Sequence, residues 1–416
     1  MNKLNDWILD CASGPFGSNL KVECFVESGF PIIDGANMSG VALTDNVTKF
    51  VTEEKARSLQ RSIAKRHDVV VTISGTLGQV VYVPLDSEYE EYLCSQRQFR
   101  VTFDESKVDV EYLVYYLHTT EGQKKILSFA NYVGVPALSQ PLPNFKNIEV
   151  DFPDVEEQHR RIARIKAIDD KIANNNAISS NLEAMAKLLY DYWFVQFDFP
   201  DENGKPYKSS GGKMVWNEDL KREIPAGWTV SRLGNECEIL LGGTPDTSKA
   251  EYWDGDIPWL NSGEVAFSPV LSAEKTITKK GMNNSATAFA EAGAVVMSIT
   301  RYIRPSVLGI DACFNQSVVA VKPTEIFHTS YLYPLMKSNV DRYMKLRTGA
   351  QQPHINKEIV ENTMLICPSE NVLNEYYQLV ENLYAQQMNA SKETQQLASL
   401  RDFLLPMLMN GQVKVC

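Results

Sequence analysis

The 416 residues of this chain hold few of the side-chain patterns that carry out chemistry. An Asn/Asp-Pro-Pro-Tyr/Phe tetrad, which would grip a flipped base for methyl transfer, does not occur. Nor does the G-x-x-x-x-G-K-[ST] loop that cradles nucleotide phosphates, so no ATP-driven motor is encoded. Gly242-Gly243-Thr244-Pro245 is no substitute, because it lacks the following glycines and a long preceding strand. Pro200-Asp201 with Asp219-Leu220-Lys221 imitates a nuclease metal site. Both lie in a polar stretch with no rigid strand to hold a magnesium ion. His67, His118, His159, His328 and His354 show no metal-ligand spacing. The seven cysteines are scattered and none forms a C-x-x-C pair, which indicates neither zinc nor a disulfide framework. The expectation is a chain with no catalytic residue, no metal and no cofactor of its own.

Charge narrows the field further. The formal net charge is -11, which argues against a freestanding, non-specific nucleic-acid binder, since that needs many uncompensated cations near phosphates. Two local basic sets stand out. Lys49 to Arg66 carries six cations against two anions: Lys49, Lys55, Arg57, Arg61, Lys65 and Arg66. Lys337, Arg342, Lys345 and Arg347 form the second. An acidic protein that binds DNA through such sets needs partners to complete the phosphate contacts. No run of 18 apolar residues is present and the amino-terminal apolar run is short, so neither a membrane span nor a signal peptide is expected and a reducing cytoplasm fits.

The elements that would position these residues come in two copies. Glu156 to Trp193 carries a seven-residue repeat, with Ile165, Ile172, Ser179, Ala186 and Trp193 on one seam and Ile168, Asn175, Leu182 and Leu189 on the other. Leu373 to Met407 carries a second, with Tyr376, Leu383, Ala390, Leu397 and Leu404 on one seam. Its other seam is read as Leu379, Gln386, Glu393, Leu400 and Met407. A 3.5-residue period turns one helix face toward a partner helix. Both stripes are interrupted by polar residues at mid-length, which suits two helices lying antiparallel. Before each helix lies a mixed globule. In the first, Val69 to Ile73 and Val80 to Val83 read as strands across a Gly75–Gly78 turn, and 110–117 and 122–129 as helices, with Pro141 and Pro143 closing the globule. From Trp228 the plan begins again, about 215–228 residues on. Gly14-Pro15-Phe16-Gly17 matches Gly242 to Pro245, Phe30 to Ile33 matches Ile257 to Leu260, and Asp68 to Val71 matches Ala294 to Met297. Ser95-Gln96 matches Asn315-Gln316, and Tyr112-Leu113 matches Tyr331-Leu332. The predicted fold class is α+β: two similar mixed globules separated and joined by two long antiparallel coiled-coil helices in a pseudo-two-fold repeat. Its boundaries are 1–153 and 228–370 for the globules, 154–194 and 371–409 for the helices, 195–227 for a polar linker and 410–416 for a tail.

This pattern resembles the specificity subunit of type I restriction–modification enzymes. The marks are Gly14 to Ser18, Glu156-Glu157-Gln158 at the start of the first long helix, and Leu182 to Ala186 running on to Trp193-Phe194. Ile224-Pro225-Ala226-Gly227-Trp228, Gly242 to Pro245, Tyr252-Trp253, Asp256 to Leu260 and the ending Leu400 to Pro406 with Gly411 complete them, in order over the whole chain. Two departures matter. Thr300 to Arg304 replaces the Gly75–Gly78 turn, and the second helix begins Asn374-Glu375-Tyr376 without the Glu-Gln pair. The two globules should therefore read different bases.

The resemblance implies a non-catalytic subunit whose two target-recognition domains each read half of a split DNA sequence. The helices would set the spacer and dock two methyltransferase subunits. Those partners would bring S-adenosylmethionine, and motor-nuclease subunits would bring ATP and Mg. For the first domain the phosphate candidates are the Lys49–Arg66 cations. The base candidates are Thr76, Gln79, Gln96 and Arg97. For the second they are Arg301, Tyr302, Arg304, Arg347, Gln351, Gln352 and His354. The helix-pairing candidates are Ile165, Ile168, Ile172, Leu182, Leu189, Leu379, Leu383, Leu397, Leu400 and Leu404. Trp253 and Trp259 read as core rather than as base-stacking platforms. Two other readings remain open: a coiled-coil scaffold that never touches DNA, and a stand-alone nuclease.

Overall fold

The computed structural model describes residues 1–349, 351 and 353–413. It divides into two compact units, Met1–Asp170 with the segment from Leu397, and Lys171–Gln396. Each combines sheets with packed helices, as an α+β fold requires.

In the first unit a four-stranded antiparallel sheet runs in the order Ile8–Ser13, Gln98–Phe103, Val69–Thr72, Val80–Tyr82. A second sheet contains Phe30–Ile33 parallel to Glu91–Cys94 and antiparallel Ile63–Lys65 beside it. All four residues of Val69–Thr72 are buried, because each face of the strand has its own core. Val69 and Val71 join the cluster under the helix Val110–His118, while Val70 joins Ile33, Met38 and Tyr92. Side chains alternate across a strand, so an unbroken valine run is what a strand covered on both faces needs. Asp109 caps that helix, its Oδ1 accepting from the Tyr112 N–H at 2.7 Å.

The second unit repeats this plan, its second sheet having four strands where that of the first has five. Its antiparallel sheet runs Ile239–Leu241, Val318–Val321, Val295–Ser298, Pro305–Val307. Its second sheet again contains one parallel pair, Trp253–Leu260 with Ala312–Phe314. The registers coincide: Ile32 faces Leu93 and Ile33 faces Cys94 in one unit, as Trp259 faces Cys313 and Leu260 faces Phe314 in the other. Two glycines hold the same crossing. A Cβ on Gly14 would lie 1.8 Å from the Ser95 carbonyl oxygen, and one on Gly242 2.2 Å from that of Asn315. Backbone meets backbone there, so no side chain fits. Trp253 and Trp259 pack edge to face at 5.1 Å in a small apolar cluster of their own.

Two long helices complete the units. Val155–Tyr190 has 36 residues and Glu370–Met409 has 40, about 54 and 60 Å at 1.5 Å per residue. Asp154 caps the first, accepting from the Glu157 N–H at 2.8 Å. Within each unit the two run antiparallel. In the first unit Arg161 donates to the carbonyls of Leu408 and Met409, and Arg401 meets Asp169 at 2.9 Å. In the second, Lys171 and Asn175 both reach Glu393, and Trp193 meets Tyr376. Asn175 is 2% exposed, so the polar interruption of this helix is a buried hydrogen-bonding position.

The structure corrects two expectations. The seams of the first helix are buried or half-buried as read, and so are Leu383, Leu397 and Leu404 of the second. Leu379 and Leu400, however, are 50% and 45% exposed. The true second row is Leu373, Val380, Gln387, Thr394, Arg401 and Leu408. A heptad alternates steps of three and four, and the two leucines favour the wrong step because the buried row holds Gln, Thr and Arg. Residues 195–227 are also no loose linker. Phe197, Phe199, Ile224 and Trp228 are buried in the second unit's core, with Phe199 stacked on Trp228 at 4.9 Å. The Gly- and Lys-rich composition belongs to the turns, and Met214–Asn217 pairs with Arg222–Pro225 as a hairpin. Pro141 and Pro143 lie in a short helix, Pro141–Lys146, where Pro suits the first turn, just before the strand Glu149–Val150.

Leu373→Ala should therefore destabilise the chain by about 2–5 kcal/mol, and Leu379→Gln by less than about 0.5 kcal/mol. Urea unfolding monitored by tryptophan fluorescence checks the difference; equal losses would restore the sequence-based seam. Gly14→Ala should cost about 1–3 kcal/mol as the backbone moves aside, read in the same assay.

Candidate nucleic-acid interface

The base candidates of the first unit converge on one cleft. Lys49, Thr76, Gln79, Gln96 and Arg97 line a cavity of about 510 Å³ together with Asp34, Gly35, Ser74, Ser95 and Gln98. The turn between Val69–Thr72 and Val80–Tyr82 supplies one wall. Gly75 and Gly78 have φ of 95° and 87°, which glycine adopts without strain. Gln123 pins the turn from behind by donating to the Gly78 carbonyl at 2.9 Å. Thr76 and Arg97 are exposed on the rim. Gln79 is already engaged: its Oε1 accepts from the Thr72 hydroxyl at 3.2 Å and its amide donates to the Gly35 carbonyl at 3.4 Å. Gln98, which composition did not single out, is buried and organises the floor, accepting from both the N–H and the hydroxyl of Ser95.

The Lys49–Arg66 set is largely neutralised by neighbours. Lys49 pairs with Asp34 at 2.9 Å, Arg57 with Glu53 and Glu91, Lys65 with Glu91, and Arg66 with Glu90 at 3.7 Å. The Lys49 ammonium and backbone N–H donors hold the Asp34 carboxyl below the usual range, against the opposing effect of burial. Lys55 and Arg61 have no ion pair among the described residues. Behind Arg61 lies a charge cluster in which Arg100 and Asp68 are buried and Asp10 is exposed. Arg100 donates to the Arg61 carbonyl at 3.1 Å and to Asp10 at 2.7 Å, and its guanidinium lies 3.8 Å from Asp68. Burial pushes the Asp68 carboxyl above the ordinary aspartate value.

In the second unit the equivalent turn reads Thr300 to Arg304. Ile303 is buried and anchors it, while Arg301, Tyr302 and Arg304 are exposed. The Arg304 guanidinium lies over the Tyr302 ring at 5.4 Å. Chain distance hides what the fold brings here. Thr300 and Thr348 both bridge to His354, the Arg301 N–H donates to the Pro353 carbonyl at 3.1 Å, and Arg347 donates to the Arg301 carbonyl at 2.9 Å. Arg347 thus braces the turn, and Gln351 is exposed in the same ribbon. Gln352 lies outside the described residues. Two of the other basic residues are engaged elsewhere. Lys337 is paired with Glu183 at 2.6 Å, and Arg342 donates to the Asn362 carbonyl.

The first unit has the same ribbon, which the sequence reading missed. Ala130–Asn131 pairs with Ala137–Leu138. Ser74 bridges to Ala137, the Gly75 N–H donates to the Pro136 carbonyl at 3.0 Å, and the Leu138 N–H donates to the Ile73 carbonyl. In the second unit the Ile355 N–H donates to the Ile299 carbonyl in the same way. The signal in the sequence was a proline at the equivalent place, Val-Gly-Val-Pro at 133–136 and Gln-Gln-Pro at 351–353.

Of the two nuclease-like aspartates, Asp201 has its carboxylate engaged within its own turn. Asp201 Oδ1 accepts from the N–H groups of Asn203 and Lys205, both at 2.8 Å, which lowers its pKa. The Asp219 N–H donates to the Asn217 side chain. No group of three or more His, Cys, Asp or Glu among the described residues is placed to hold a metal ion. Among them, too, no helix is long and apolar enough to cross a membrane.

Known proteins match this architecture throughout. The profile of the type I restriction modification DNA specificity domain matches twice, over residues 21–184 and 225–397. The chain belongs to this family, and its role is the recognition of DNA sequence in type I restriction–modification. It is 22% identical over 373 residues to the MjaIX specificity subunit of Methanocaldococcus jannaschii, covering 88% of this chain and 82% of that one. It is 21% identical over 386 residues to the HindI specificity subunit of Haemophilus influenzae, covering 80% and 83%. The crystal structure of a type I S subunit from M. genitalium shares the fold, with a TM-score of 0.59 at 16% identity over 98% of this chain and 95% of that one.

Arg100→Met should destabilise the chain at neutral pH by on the order of 3 kcal/mol, because it strands the Asp68 charge in the interior. The raised Asp68 pKa means that the folded state binds the extra proton, so this deficit should shrink as pH falls toward 4. Urea titrations at pH 7 and pH 4.5 check it; a deficit independent of pH would contradict the assignment.

Proposed function

We propose that each unit reads one half of a bipartite, asymmetric DNA target. The observation that carries this reading is the pair of equivalent turns. Two units of one topology present, at the same place, a turn and a supporting ribbon of different composition. One offers Thr76, Gln96 and Arg97 around a cleft; the other offers Arg301, Tyr302, Arg304 and Gln351. Arg pairs bidentately with guanine and Gln with adenine in the major groove, so the two surfaces suit different half-sites. Lys55 and Arg61 are the backbone-contact candidates left after the internal ion pairs are subtracted. With a net charge of -11, the chain relies on other subunits for further phosphate contacts.

The long helices are proposed as the ruler and as the platform for two methyltransferase subunits, with motor-nuclease subunits joining them in the cytoplasm. This chain supplies neither catalysis nor a cofactor in that assembly. S-adenosylmethionine, ATP and Mg belong to its partners. Removing one matched heptad from both helices shortens each by about 10 Å and should shorten the unread spacer by about three base pairs at 3.4 Å each, with both half-sites unchanged. An unchanged spacer would contradict the ruler.

The direct test of independent reading is exchange of residues 1–153 for those of another family member in the assembled complex. One half-site should change and the other persist; loss of both would show that the units do not read independently. Arg97→Ala and Arg301→Ala should each relax one position of one half-site, at a cost of about 1–3 kcal/mol in binding. A scaffold that never reads DNA would show no sequence-selective binding in the same complex.

A further inference from the structure

We infer that the ribbon tip of the first unit, Tyr132, Val133 and Val135, is an apolar probe that presses against DNA bases beside Arg97 and recognises them without hydrogen bonds. The inference rests on the DNA-reading role proposed above and assigns a contact class to residues outside the cleft.

The tip is held firmly and offers little but apolar surface. Tyr132, Val133 and Val135 are 65%, 88% and 70% exposed, a cost in water that a hairpin tip ordinarily avoids with polar residues. The tip is nevertheless built. Its strands pair as Ala130 with Leu138 and Asn131 with Ala137. The Asn131 side chain accepts from the Val133 N–H at 3.0 Å, and Gly134 takes a φ of 79° to close the turn. The bond from Gly75 to the Pro136 carbonyl ties the tip to the reading turn, and a Cβ on Gly75 would lie 3.7 Å from the Arg97 guanidinium. The probe therefore stands on the rim that carries Arg97.

Comparison within the chain separates function from folding. Pro136 and Pro353 accept the same bond in the two units, which places Gly134 where the second unit has Gln351. Gln351 is exposed there, so the ribbon accepts a polar side chain in its turn. The same contrast recurs across the cleft. Phe16 is 83% exposed in the loop whose Gly17 abuts Gln96, and Thr244 takes its place in the second unit, bonded to Gln316. Apolar side chains gain from DNA by contact with the thymine methyl group or by lodging against a base step. They bring no charge and so release no counterions.

The test is equilibrium binding of the full chain, assembled with its methyltransferase subunits, to a duplex carrying the complex's own methylation target and to a scrambled duplex. The triple variant Tyr132→Ser, Val133→Ser, Val135→Ser should bind the target duplex at least about tenfold more weakly. It should bind the scrambled duplex within about twofold, with an unchanged slope of log affinity against log salt. Val133→Ile with Val135→Ile should keep wild-type affinity. Wild-type affinity in the triple variant, equal weakening on both duplexes, or failure of the variant to assemble with the methyltransferase would overturn the inference, the last by showing that the tip docks protein. A wild-type complex that does not discriminate the two duplexes would instead overturn the DNA-reading proposal itself, and this inference with it.

Discussion

Neither unit closes its core without a turn of both long helices. In the first, Ile162 and Ile165 of one helix and Leu405, Leu408 and Met409 of the other join the cluster formed by the sheet and the helix Val110–His118. In the second, Tyr190, Trp193 and Phe194 meet Leu373, Tyr376 and Val380 over Tyr331. Phe194 stands edge-on to both Tyr331 and Tyr376 at 4.8 Å, the arrangement aromatic rings prefer. Buried aliphatic and aromatic side chains each contribute about 1.5–3 kcal/mol, so the helix ends are part of the globules. Long helices gain most of their stability from such packing, and each is anchored at both ends by a different unit.

On that frame the reading turns are free to vary. Gly75 and Arg301 occupy the same position, make the same N–H bond to a proline carbonyl, and both sit at positive φ. Most of the bonds that hold turn and ribbon together run between backbone groups, with the Arg347 side chain added in the second unit, so they depend little on side-chain identity. The turn can carry Gly134 in one unit and Gln351 in the other without disturbing the strands beneath. Residues that cannot vary sit deeper, where Gly14 and Gly242 pass against the next strand's carbonyl. Separating a fixed backbone scaffold from exchangeable side chains lets one fold read two different sequences.

Much of this was legible in the amino-acid order. The duplicated plan follows from matched segments at a near-constant offset, and the valine strands from their unbroken apolar runs. Thr76, Gln96 and Arg97 were found because a tight glycine turn and a polar strand end mark a surface corner. What failed has physical causes. The seam of the second helix was misread because buried Gln387 and Arg401 look like surface residues, while exposed Leu379 and Leu400 look like core. The pairing of Arg57, Lys65 and Arg66 with Glu90 and Glu91 was not visible, because those glutamates lie a strand away. The ribbons at 130–138 and 348–354 depend on backbone pairing to distant turns, which side-chain patterns do not record.

The central claim is that this chain selects DNA sequence through two independent surfaces. Methylome sequencing of a host expressing the chain with its methyltransferase subunits, against the same host lacking only this chain, tests it most directly. The account predicts a bipartite methyladenine motif with two different half-sites that disappears when the chain is removed. Unchanged methylation, with the complex confirmed by co-purification, would contradict it.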